Sequence, residues 1–289
     1  MHVSASNPAL QVTSSGAALG ADISGIDLSQ PIHEAAFRAI EAAWLERCVV
    51  RFRHQRLTDA QLIAFSRWFG DLDHARLDTY KPFVNEHPEI MVISNVVENG
   101  QPIGKLGAAE AEWHTDISYV ERPPKASLLY SLEIPATGGD TGFTNMYLAY
   151  DTLAPELKSA VAGLRCKHDA SHDSAGVLRG GFSASEDPRK APGPVHPLVR
   201  THPQTGRKAL YLGRRINAYI PDLPLAESER ILDALWAHAT QPQFAWRQVW
   251  SVGDLIVWDN RCTMHRRDAF ESAARRIMHR TQVKGDQPV

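Results

Sequence analysis

Two short stretches far apart in the chain, Trp113-His114-Thr115-Asp116 and Asn260-Arg261-Cys262-Thr263-Met264-His265, together supply two imidazoles and one carboxylate. Two histidines and one acid form the donor set of a facial non-heme iron site, which grips one face of an octahedral metal and leaves the rest open. Residues two apart on a strand point to the same side. A single strand through His114 and Asp116 would therefore aim both at one metal, with Thr115 turned away. His265 would come from a second element, just past the end of the apolar run Leu255 to Trp258. Open metal positions call for a co-substrate and dioxygen, so the implied chemistry is oxygen activation. A structural zinc site fits poorly, because such sites close four ligands around the metal and favour cysteine.

A His-x-Asp pair alone is a weak signal. The segment Arg275-Arg276-Ile277-Met278-His279-Arg280 strengthens it. Read as a strand, it puts Arg276, Met278 and Arg280 on one face, so two guanidiniums look into the same space. Like charges are costly to bury unless each meets an anion. The duller alternative is a solvated basic edge strand. Arginine suits an anion-binding role because its planar fork gives a carboxylate two parallel hydrogen bonds.

The elements that must position these groups read as mostly strand. A strand or hairpin at a sheet edge is expected over Gln11 to Leu28, and a helix over His33 to Arg47 from the spacing of Phe37, Ile40 and Trp44. Val49 to Phe52 reads as a strand. Thr58 and Gln61 form a capping box for a second helix that Gly70 stops. Strands are expected at Glu89 to Ser94, Ala126 to Ile134 and Thr141 to Asn145, with helix through Tyr147 to Gly163 re-entered at Pro155. Further strands follow at His196 to His202 and Lys208 to Leu212, then a helix at Leu225 to His238. Two strand runs flank Gly253-Asp254, and Arg275 to Val283 closes the chain as a strand. Glu98 to Glu112 reads as a lid loop before the first metal motif, and residues 171–194, rich in Gly, Ser, Pro and charge, as a mobile insertion. The pattern predicts a mostly β, α+β chain with a double-sheet jelly roll core and helical additions, forming one domain over residues 1–289.

Composition is ordinary for a globular protein: 289 residues, 43% hydrophobic, 22% charged, formal net charge -2. Nothing here implies a nucleic-acid or membrane partner. The three cysteines, Cys48, Cys166 and Cys262, form no C-x-x-C pair, and no secretory signal or long apolar run is visible, so a cytoplasmic protein is expected.

The order Gly20-Ala21-Asp22-Ile23-Ser24-Gly25, Trp113-His114-Thr115-Asp116, Gly138-Gly139-Asp140-Thr141, Trp258-Asp259-Asn260, His265, Arg276 and Arg280 resembles the TauD/TfdA family of Fe(II)- and 2-oxoglutarate-dependent dioxygenases. The resemblance implies a double-stranded β-helix and Fe(II) on His114, Asp116 and His265. It implies 2-oxoglutarate on that iron, its distal carboxylate held by Thr141 and Arg276, and dioxygen as the other co-substrate. Arg280 matches the position that meets an anionic group of the primary substrate. His202, in Arg200-Thr201-His202-Pro203, falls where some phenoxyacetate-cleaving relatives carry a pocket histidine; a turn histidine is the alternative. Asp259 and Asn260 would steady the ligand loop. The retained carboxylate Asp116 points to hydroxylation rather than halogenation.

The expected substrate is a small anionic organic molecule. The stretches Pro197 to Lys208 and Val252 to Cys262 resemble the branch that cleaves aryloxyalkanoates such as 2,4-dichlorophenoxyacetate; the alternative is the branch acting on taurine, alkyl sulfonates or alkyl sulfates. Pocket walls are expected from Leu77 to Phe83, Gly100 to Glu112 and Ser174 to Phe182. A non-catalytic 2-oxoglutarate sensor is the remaining class, and self-association into a homo-oligomer is expected from resemblance.

Overall fold

The computed structural model describes residues 10–74, 83–84, 86–108, 111–185, 187–221 and 223–289; most of the expected wall segment 77–83 lies outside them.

The strands with continuous apolar runs lie at the centre. Ala126–Glu133 is flanked on one side by Leu255–Asp259 and on the other by Ile277–Val283, both antiparallel. Around them a major sheet runs in the order Gln11–Ser14, Ala21–Ser24, Val49–Phe52, Leu255–Asp259, Ala126–Glu133, Ile277–Val283, His87–Ser94, Phe83–Val84, with Lys105–Leu106 also pairing with His87–Ser94. The minor sheet has the order Ala245–Gln248, Thr141–Asn145, Thr263–Arg267, Ala111–His114.

Each face of the major sheet is covered. On one side lie the helices Glu34–Arg47 and Asp59–Ser66, the first capped by His33 and the second by the Thr58–Gln61 box. Their Phe37, Ile40, Trp44, Leu62 and Phe65 pack on Val50, Phe52, Leu128 and Val257. On the other side Leu129, Ile256, Trp258 and Met278 pack against Phe143 and Met264 of the minor sheet. Two sheets therefore face each other across an apolar core, and the helices Met146–Asp151 and Leu225–Ala239 extend that core with Met146, Tyr147, Ile231 and Leu235. The chain is mixed α and β, dominated by strand.

Residues of the 171–194 segment form turns, an isolated bridge His172↔Leu178 and the short 3-10 helix Pro188–Lys190. The segment is tied to the first metal motif, where Glu112 N donates to Ser174 O at 3.0 Å. Among the described residues no helix is long and apolar enough to cross a membrane.

Candidate metal and co-substrate site

The minor sheet sets the two imidazoles opposite each other. His265, central in Thr263–Arg267, is the antiparallel partner of His114, the last residue of Ala111–His114, and their ring centroids are 4.2 Å apart. Two expectations need correction here. The strand ends at His114, so Asp116 sits in the following turn rather than two positions along one strand. His265 lies inside a strand instead of just past a strand end.

The turn supplies what strand alternation would not. Thr115 leaves the sheet by donating its N–H to Gly213 O at 2.9 Å. Ile117 adopts φ 48°, a left-handed conformation uncommon for a β-branched residue and typical of strain stored at functional sites. The carboxylate is thereby brought back, its Oδ1 lying 3.6 Å from His114 Nε2 and 3.8 Å from His265 Nε2. All three donor atoms lie within 4.8 Å of one another, close enough to share a single ion.

Hydrogen bonds prepare these donors. The His114 Nδ1–H donates to Glu112 O at 2.7 Å, which leaves the Nε2 lone pair facing Asp116. Asp116 Oδ2 accepts from Ser127 Oγ at 3.0 Å, Gln282 Nε2 at 3.2 Å and Arg280 Nη1 at 3.0 Å. Burial alone would raise the Asp116 pKa, but Arg280 first, then His265 and His114, hold it well below the usual carboxylate range. Burial, and next the neighbouring His114, push the His265 imidazole well below its ordinary value. The result is an ionised carboxylate beside a neutral imidazole, the protonation states that metal binding requires.

Thr141 and Arg276 lie deeper. Thr141 Oγ accepts the indole N–H of Trp250 at 3.1 Å, so its own hydroxyl proton remains available to an incoming oxygen. Arg276 is 2% exposed, its Nε has no hydrogen-bond partner among the described residues, and burial, followed by the nearby Arg267, lowers its pKa to about 9. Its backbone is held by Asn95, whose Oδ1 accepts from Arg276 N at 3.0 Å. Arg276 and Trp250 line one cavity of about 80 Å³ with Gly139 and Asp140. A buried guanidinium with an unpaired Nε is costly to leave without an anion, and a carboxylate suits its planar fork.

Arg280, expected to face a substrate anion, pairs with Asp116, and its Nη2 lies 3.0 Å from Met91 Sδ. His202 is placed otherwise than its suggested pocket role. It is fully buried, its Nδ1 accepts from the N–H groups of Gln204 and Thr205, and its Nε2–H donates to Asp259 at 3.0 Å. Such a histidine closes a turn. Asp259 is occupied by Arg261 through two hydrogen bonds, at 2.8 and 2.7 Å, so steadying the metal turn falls to Asn260. Trp250, Ser127 and Gln282 were not anticipated; their partners are remote in sequence and no local motif marks them.

Known proteins resemble this chain over nearly its whole length. Residues 11–282 match the family model described as taurine catabolism dioxygenase TauD, TfdA family. The alpha-ketoglutarate-dependent 2,4-dichlorophenoxyacetate dioxygenase of Cupriavidus pinatubonensis is 37% identical over 275 residues, covering 92% of this chain and 94% of that protein. The (S)-phenoxypropionate/alpha-ketoglutarate-dioxygenase of Sphingobium herbicidovorans is 34% identical, covering 97% and 96%. Among solved structures, a taurine dioxygenase from Burkholderia xenovorans superposes with a TM-score of 0.80 at 35% identity, covering 98% of this chain and 91% of that one.

Proposed function

This chain belongs to the TauD/TfdA family of 2-oxoglutarate-dependent dioxygenases, and from that premise we propose that it hydroxylates a small organic acid, with His114, Asp116 and His265 holding Fe(II). The observation that carries the reading is the buried donor trio itself, one ionised carboxylate within 4 Å of two imidazole nitrogens. The two facing sheets form a double-stranded β-helix core, and residues 1–289 work as one domain.

When bound, the iron supplies the coupling of dioxygen reduction to decarboxylation of 2-oxoglutarate, so that one oxygen atom enters succinate and the other the substrate as a hydroxyl. The protein does the rest. Arg276 and Thr141 hold the distal carboxylate of 2-oxoglutarate, which orients its keto-acid end toward the triad. Trp250 fixes the Thr141 hydroxyl so that its proton points to that carboxylate. Ser127 and Gln282 orient Asp116, while Arg280 keeps it ionised and offers a guanidinium to an acidic substrate. The burial of all these groups keeps water from competing for the open positions.

The favoured substrate is an aryloxyalkanoate, in line with the two relatives that act on phenoxy acids. A hydroxyl placed beside the ether oxygen makes a hemiacetal, which collapses to a phenol and a carbonyl acid. The alternative, a taurine or alkyl-sulfonate or alkyl-sulfate substrate, is favoured by the likeness to the taurine dioxygenase structure. Anaerobic addition of Fe(II) and 2-oxoglutarate tests the reading: a weak visible charge-transfer band is expected, perturbed by the right acid, and succinate should form with that acid's product once oxygen is admitted. Absence of the band would end the dioxygenase reading.

A further inference from the structure

A second buried cation stands beside the metal turn. Arg214 is 8% exposed, its Nε has no hydrogen-bond partner, and it forms no ion pair among the described residues. Among the described residues it makes one hydrogen bond, from Nη1 to His172 O at 2.7 Å. Arg214 directly follows Gly213, whose carbonyl accepts the Thr115 N–H at 2.9 Å, so it stands close to the metal turn. Its positive charge reaches both Asp116 and His265.

Around Arg214 the acids are already committed. Asp173 Oδ1 accepts the N–H groups of Ala175 and Val177, each at 2.9 Å, and Asp116 serves Arg280, Ser127 and Gln282. What Arg214 does meet is another cation. The ring of Tyr119, three residues past Asp116, stacks with the Arg214 guanidinium at 5.2 Å and with that of Arg179 at 3.8 Å, and Arg179 likewise has no ion pair among the described residues. Two guanidiniums gathered on one tyrosine, one of them buried, repel each other unless an anion joins them. A divalent metal and one keto-acid carboxylate, added to Asp116, Arg280 and Arg214, still leave the site net positive.

We propose that Arg214, seconded by Arg179 across Tyr119, binds the anionic head of the primary substrate and so determines the preference of this enzyme for acids over neutral molecules. This rests on the dioxygenase reading and deepens it: the substrate is gripped from the Gly213 side of the triad as well as from Arg280. The planar fork of Arg214 matches a carboxylate and also accepts a sulfonate or sulfate oxygen pair. Because Arg179 and the His172 carbonyl both belong to the 171–194 segment, an anion bound here would also tie that segment to the metal turn.

The test is anaerobic titration calorimetry on the full chain loaded with Mn(II) and 2-oxoglutarate, using phenoxyacetate, hexyl sulfate and the neutral phenoxyacetamide as probes. The acid that binds the native protein should lose at least tenfold in affinity in Arg214→Gln, with partial recovery in Arg214→Lys and a smaller loss in Arg179→Gln. Phenoxyacetamide and 2-oxoglutarate affinities should stay within twofold. Whether phenoxyacetate or hexyl sulfate shows the effect identifies the head group. Equal losses for acid and amide, a loss of 2-oxoglutarate affinity in Arg214→Gln, or no acid binding by the native complex would overturn the proposal. Failure of the native protein to bind 2-oxoglutarate with Mn(II) would instead overturn the dioxygenase reading, and this assignment with it.

Discussion

The side-chain amide of Asn260 closes on the backbone of Asp116 from both directions: its Oδ1 accepts from Asp116 N at 2.9 Å and its Nδ2 donates to Asp116 O at 2.9 Å. The same Nδ2 reaches Pro124 O at 2.9 Å, so one buried amide acts as the missing strand partner of the metal turn.

Replacing Asn260 by Ala should therefore leave the folded core intact but free the turn to relax from the strained Ile117 conformation. Groups that orient metal ligands typically contribute 10- to 100-fold in metal affinity. The Asn260→Ala protein should bind Mn(II) more weakly by about that factor, as read by calorimetry, with little change in its far-ultraviolet circular dichroism. Unchanged metal affinity would remove Asn260 from the positioning role.

Arg276 makes a sharper case. Truncating one partner of a buried, hydrogen-bonded charge pair costs about 2–5 kcal/mol, or roughly 30-fold and upward in affinity. The Arg276→Leu protein should lose 2-oxoglutarate affinity by at least that factor while still binding the metal. Because the free protein buries this guanidinium with Nε unsatisfied, the same substitution should not destabilise it and is expected to raise the thermal midpoint. A fall in both would mean that Arg276 is structural.

The Asp259–Arg261–His202 group gives stability a pH dependence. Burial alone would raise the Asp259 pKa, but Arg261 first and His202 next hold it well below its ordinary 3.8. As pH falls, the unfolded chain then takes up the proton before the native one does. This contribution is complete above the ordinary carboxylate range and is lost as pH drops from about 4 toward the native value. Asp259→Asn should cost about 3–5 kcal/mol at neutral pH, the loss expected on breaking a buried ion pair, and urea denaturation between pH 6 and 3 should show a flatter stability curve for the variant.

What could be seen in the sequence, and what could not, divides along the range of the interactions. The capping box at Thr58 and Gln61, the stripe of Phe37, Ile40 and Trp44, and the apolar run before Trp258 are local patterns, and each lies in the element expected from it. The trio His114, Asp116 and His265 could be named from residue type and order, yet its geometry could not. The turn at Thr115–Ile117 depends on Gly213 and Asn260, about a hundred and more positions away, and on a left-handed isoleucine that no propensity favours. For His202 the resemblance suggested a pocket and the local sequence a turn; the choice depended on Asp259, which captures the imidazole from another strand. Trp250 beside Thr141 likewise has no signature short of the folded sheet.

Gly213 joins these distant parts, and its replacement should show how tightly they are coupled. It holds φ +68°, and a Cβ placed there would lie 2.2 Å from Nδ1 of the buried His168. The left-handed conformation costs an alanine about 1–2 kcal/mol, and overpacking a core site typically adds another 1–3. Relief would require the Gly213 carbonyl to move away from Thr115 N, shifting Asp116. The Gly213→Ala protein should therefore lose both stability and metal affinity, whereas a change at an ordinary surface glycine such as Gly206, where a Cβ meets nothing within 4 Å, should cost only the backbone term. A stability loss in Gly213→Ala with metal affinity untouched would show that the turn does not depend on the carbonyl it leans on.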